Sequence, residues 1–141
     1  MPGRSSQAIW QGDLQTGSGN VKLGSGAYDG QYSFKSRFED GNGTNPEELL
    51  GAAHAGCFSM ALAAGLSREG FKVNSINTTA TVHLEKGESG FSIARIELVT
   101  KGDVEGIDEA KFKEAAEGTK TGCIVSRALS AVPMTVDASL V

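Results

Sequence analysis

The stretch Asn45-Pro46-Glu47-Glu48-Leu49-Leu50-Gly51-Ala52-Ala53-His54-Ala55-Gly56-Cys57-Phe58-Ser59-Met60-Ala61-Leu62 decides how this chain is organised. It opens like a helix: Asn45 is a capping residue, Pro46 suits the first helical position, and Glu47 and Glu48 favour the positive end of the helix dipole. Glu48, three residues after Asn45, completes a box-like cap. Apolar positions then recur at Leu50, Ala53, Cys57, Met60, Ala61 and Ala64, a helical spacing over about five turns that ends near Gly70.

Outward from this helix the periodicity changes. On the N-terminal side, Gln7–Gly12 and Asn20–Gly24 flank the glycine-rich turn Asp13–Gly19, which predicts a hairpin. Gln31–Phe38 alternates, with Tyr32, Phe34, Ser36 and Phe38 on one face, and predicts a half-buried strand. On the C-terminal side, Ile76–Leu84 and Phe91–Thr100 read as two strands joined by the turn Gly87-Glu88-Ser89-Gly90. Asp108–Glu117 reads as an amphipathic helix broken at Gly118–Gly122, Cys123–Leu129 as a second short helix, and Pro133–Leu140 as a last strand. Strands and helices in separate runs make an α+β chain.

Composition excludes several classes. The 141 residues suit one domain, 1–141, with no repeat or linker. Nineteen glycines predict tight turns and close backbone approaches. A net charge of −4 with scattered Lys and Arg argues against nucleic acid as a partner. Met1–Trp10 lacks the apolar core of a secretory signal. The weakly polar stretch Gly51–Leu66 is interrupted by His54 and Ser59 and is shorter than the ~20 residues a bilayer span needs. The expectation is a cytoplasmic protein with no membrane partner.

Two cysteines, Cys57 and Cys123, and two histidines, His54 and His83, are too few for a disulfide scaffold or a structural zinc site, so no metal is expected. The cysteines are either inert core thiols or a redox pair. Mid-helix, Cys57 lacks the stabilisation that a helix N-terminus gives a thiolate, so a reactive Cys57 needs positive charge from elsewhere. An arginine would supply it, and residue type does not choose among Arg4, Arg37, Arg68, Arg95 and Arg127. Cys123 stands near a short helix start, with Ile124 beside it favouring partial burial. His54 precedes Cys57 by one helical turn, which leaves a Cys–His pair open. His83, opposite an apolar strand face, reads as a surface residue. Glu47 lies ten residues, or about 15 Å of helix, from Cys57. A Glu47 that serves the same site as Cys57 therefore comes from a second copy of the chain.

The run Arg37-Phe38-Glu39 through Gly43-Thr44-Asn45-Pro46-Glu47 to Leu62, the later Gly122-Cys123-Ile124-Val125-Ser126, the N-terminal Trp10-Gln11-Gly12-Asp13 and the last strand together closely resemble the OsmC branch of the OsmC/Ohr family. The resemblance covers essentially the whole chain. It implies an intertwined α+β homodimer with two mostly antiparallel sheets packed around central helices and the active sites at the subunit interface. It also implies a thiol-dependent peroxidase acting on organic hydroperoxides and hydrogen peroxide. Cys57 then matches the peroxidatic cysteine and Cys123 the resolving one. Arg37 matches the arginine facing the reactive sulfur, and Glu47 the glutamate that holds it, both drawn from the partner subunit. Ile124 stands where the family commonly has proline. No bound cofactor is implied; the reductant is an external dithiol, a lipoyl group in the Ohr branch. Phe34, Phe38, Phe58, Met60 and Leu62 are expected either in the core or lining a pocket for an alkyl tail. The alternative reading is a redox sensor or stress-response binding protein using the same cysteine pair without rapid turnover; a third is a structural dimer with inert thiols. A thioredoxin-like enzyme is disfavoured by the lack of C-x-x-C.

Overall fold

The computed structural model describes residues 1–141, which separate into two compact units, Met1–Leu49 and Leu50–Val141. In the first unit, β1 (Ser6–Gln11), β2 (Ser18–Leu23) and β3 (Asp29–Tyr32) form an antiparallel sheet in the order β1-β2-β3. The predicted hairpin is present. Its turn is held by Asp13, whose carboxylate accepts from the Thr16 backbone N–H at 2.7 Å and the Thr16 hydroxyl at 2.8 Å.

The strand predicted over Gln31–Phe38 is corrected: β3 ends at Tyr32 and Phe34–Phe38 is a helix, α1. The side chains of Ser33 and Ser36 cap one another's backbone N–H groups, at 3.1 Å and 2.8 Å, and start the helix. Phe34 and Phe38 fit a strand's period of two, but they also lie four apart, a helical spacing, and their rings pack at 4.8 Å. Local capping decided between the two periods.

Helix α2 (Pro46–Arg68) starts as the sequence predicts, with the Glu48 backbone N–H donating to Asn45 Oδ1 at 2.7 Å. The Glu48 carboxylate takes the Thr44 hydroxyl at 2.7 Å rather than closing a reciprocal box. The helix spans 23 residues, so by length and apolar composition it could cross a membrane, which corrects the view that its apolar stretch is too short. The buried line is also not the predicted one. Gly51, His54, Phe58, Leu62 and Leu66 face inward, whereas Ala53, Met60 and Ala64 are exposed, Met60 at 76%. The helix is apolar on both sides, so periodicity did not single out the buried face.

The second unit places α2 against a sheet of β4 (Lys72–Gly87), β5 (Gly90–Glu105) and β6 (Met134–Leu140), in the order β4-β5-β6. The first pair is antiparallel and the second parallel. Phe58, Leu62, Leu66, Ile96, Leu98, Phe112, Ala116 and Cys123 form its core. Each of the large side chains contributes roughly 1.5–3 kcal/mol through burial. A Cβ on Gly51 would sit 3.1 Å from the Ala80 carbonyl oxygen, so this glycine lets α2 approach β4 closely.

Helix α3 (Glu109–Gly122), capped by Asp108, runs through the predicted break at Gly118, and α4 (Ile124–Ala128) follows Cys123 directly. A glycine inside a helix costs about 1 kcal/mol, less than α3 gains by burying Phe112 and Ala116.

Candidate functional site

Cys57 sits on the fourth turn of α2, half-buried, and Cys123 is the buried residue at the N-cap position of α4; both are free thiols. The structure brings them together across two elements of the second unit. Burial pushes the Cys57 thiol up. Hydrogen bonding from the Val125 backbone N–H, the Cys123 side chain and the Ile124 backbone N–H outweighs that, so its pKa lies below the ordinary thiol value. The first turn of α4 thus supplies part of the stabilisation that Cys57's own helix cannot. These backbone donors add to the arginine that the sequence offered as a source of positive charge. Ile124 does not help bury its neighbour as expected: it is 74% exposed, while Cys123 is buried.

His54 is fully buried one turn before Cys57. Its Nε2 lies 2.7 Å from the Ser126 hydroxyl on α4, and its Nδ1 has no partner. One hydrogen joins the two groups, carried by Nε2 or by the Ser126 hydroxyl according to the ring tautomer. Burial lowers the His54 pKa and keeps the ring neutral. Its hydrogen bond runs to Ser126, not to a cysteine, so the Cys–His pair left open by the sequence is not what forms. His83 is partly buried and paired with Glu97 at 3.0 Å.

The first unit brings Arg37 and Glu47 together. Arg37 Nε lies 3.2 Å from both carboxylate oxygens of Glu47, and Nη2 is 2.7 Å from Oε1. Glu47 is buried and Arg37 about one-third exposed, so the buried carboxylate fixes an arginine whose Nη1 takes no part in the pair. Arg37 also packs over the Phe38 ring at 5.4 Å. Beside it lies a cavity of about 440 Å³ lined by Trp10, Leu14, Tyr32, Phe34 and Phe38. Of the five apolar residues expected in core or pocket, Phe34 and Phe38 line this cavity, Phe58 and Leu62 are core, and Met60 is exposed.

Sequence reasoning missed the His54–Ser126 pair and the α4 backbone donors. The only available signal was spacing: His54 is three residues before Cys57, and Ser126 three after Cys123.

The family model described as OsmC-like protein matches residues 39–137. The chain is 48% identical over 129 residues to Peroxiredoxin OsmC of Escherichia coli (strain K12), covering 91% of this chain and 90% of that protein. The chain belongs to the OsmC family. It is also 30% identical over 105 residues to the uncharacterized protein YmaD of Bacillus subtilis (strain 168), covering 71% and 70% of the two chains. The OsmC fold is shared with solved structures of low identity. The organic hydroperoxide resistance protein OhrB of Bacillus subtilis superposes with a TM-score of 0.72 at 24% identity, over 97% of this chain and 98% of the other. An OsmC-like protein from Mycoplasma pneumoniae gives 0.75 at 15% identity, over 99% and 98%.

Proposed function

We propose that this OsmC-family chain is a thiol-dependent peroxidase that reduces organic hydroperoxides and hydrogen peroxide, with residues 1–141 acting as one domain. The observation that carries the reading is the pairing of a half-buried Cys57, its pKa held low, with a second free thiol at Cys123. Its 48% identity to Peroxiredoxin OsmC supports the same reading.

The Cys57 thiolate attacks the distal oxygen of the peroxide. The O–O bond breaks, the alkoxide or hydroxide leaves and takes a proton to become alcohol or water, and Cys57 is oxidised to the sulfenic acid. The Cys123 thiol then displaces water and forms the Cys57–Cys123 disulfide. An external dithiol reduces it by exchange through a mixed disulfide; a lipoyl-type dithiol fits that role. We place the activity in the cytoplasm, where such dithiols keep thiols reduced.

Arg37, oriented by Glu47, is assigned to stabilising the thiolate and the developing negative charge on the leaving oxygen. We assign both to the partner subunit of a homodimer, because the ten-residue rise between Glu47 and Cys57 in α2 is about 15 Å. The exposed apolar residues Met60 and Ile124 support such a dimer. The aromatic cavity beside Arg37 supports an alkyl or aryl hydroperoxide as substrate.

The test is dithiol-dependent consumption of cumene hydroperoxide and hydrogen peroxide by wild-type protein and Cys57→Ser. Turnover by the wild type and none by the variant is expected. Equal consumption by both would remove Cys57, and with it the mechanism.

A further inference from the structure

His54 and Cys57 stand one turn apart on α2, and Cys123 and Ser126 one turn apart around the start of α4. The two pairs run in parallel between the same two elements: thiol beside thiol, imidazole on hydroxyl. Helix α4 has only five residues, too few to hold itself in place. Its Ile124 side chain is exposed, and Ser126 is the one residue of the helix that is buried. The Ser126 hydroxyl meets a fully buried imidazole whose other nitrogen has no partner, so their 2.7 Å contact is the single polar tie that each ring and hydroxyl makes across this junction. A directional hydrogen bond fixes rotation and register in a way that apolar contacts do not.

We infer that the His54–Ser126 hydrogen bond clamps α4 to α2 and thereby sets the distance between the two thiols, making His54 and Ser126 positioning residues for the Cys57–Cys123 pair. Neither touches peroxide. Their effect is to hold the Ile124 and Val125 backbone N–H groups on Cys57 and to keep Cys123 within reach of it, so that disulfide closure needs little rearrangement.

The inference rests on the reading of the two cysteines as the redox pair, but its test needs no peroxide. The thiolate midpoint of Cys57 is titrated by ultraviolet absorbance, and the disulfide is equilibrated against a glutathione redox buffer. Both are measured in wild type, Ser126→Ala, His54→Leu and the double variant, each checked for folding by circular dichroism. Each single variant is expected to raise the Cys57 midpoint by about one pH unit, roughly tenfold less thiolate at a fixed pH below it. Each is expected to lower the disulfide equilibrium constant by about tenfold, and the double variant to go no further than either single one. Unchanged midpoints and constants would overturn the clamp, and so would effects that add in the double variant. Should one single variant fail to fold, the other decides by the same shifts. A wild type that consumes no hydroperoxide while the variants still shift would remove the peroxidase reading and leave the clamp standing.

Discussion

His54 shows what one buried side chain contributes. In the unfolded chain its imidazole titrates near about 6.5, whereas burial in the fold lowers its pKa. Between the two values the unfolded chain binds the extra proton, so stability is fully present above about 6.5 and is lost as pH falls through the lower folded value. Urea midpoints are therefore expected to fall on acidification from about pH 7 to about pH 5. They should fall less in His54→Gln, which cannot take up that proton. Equal slopes in the two proteins would show that His54 is not what titrates. The Cys57 thiol has the opposite local balance: burial opposes its charged form, but the α4 backbone and Cys123 outweigh burial. The His54–Ser126 pairing was not legible in the sequence, because the two residues are 72 apart and their meeting depends on where α4 lands.

At the scale of elements, the sequence was most informative where a cap or a turn fixes the chain locally. The start of α2 at Asn45-Pro46, the hairpin turn at Asp13 and the Asp108 cap of α3 are all where their residue types put them. It misled at Phe34–Phe38, whose apolar residues fit two periods, and at Gly118, where α3 continues because packing outweighs propensity. The packing of α3 on β5 can be tested at one position. A Cβ on Gly102 would come within 2.5 Å of the fully buried Phe112 ring. Gly102→Ala must push α3 outward or force Phe112 off its rotamer, at a cost of about 1–3 kcal/mol. Chemical denaturation should show that loss with the m-value unchanged, and Gly118→Ala, with nothing near it, should show none of it. A fully stable Gly102→Ala would mean that α3 has room to move.

For the whole molecule, the informative feature is a helix apolar on both faces. One face of α2 is used inside the second unit; the other leaves Ala53, Met60 and Ala64 exposed. In a homodimer this second face has a partner, and the proposed site then takes Arg37 from one chain and Cys57 from the other. Mixing inactive Arg37→Ala with inactive Cys57→Ser after mild unfolding and refolding is expected to restore peroxidase activity. Each mixed dimer would contain one site with an intact cysteine and an intact arginine. A mixture as inactive as its parents would place both residues of a site in the same chain.

The sequence by itself determined the α+β class, the long central helix, and the family resemblance that singled out Cys57, Cys123, Arg37 and Glu47 as candidates. These are written in local spacing, capping residues and contiguous motifs, which depend only on near neighbours in the chain. Only the tertiary structure decided which face of α2 is buried, that α4 brings its backbone N–H groups and Cys123 to Cys57, and that a buried imidazole ties the two elements together. Those outcomes depend on contacts between residues tens of positions apart, and their energies come from burial and hydrogen-bond geometry that no local pattern encodes.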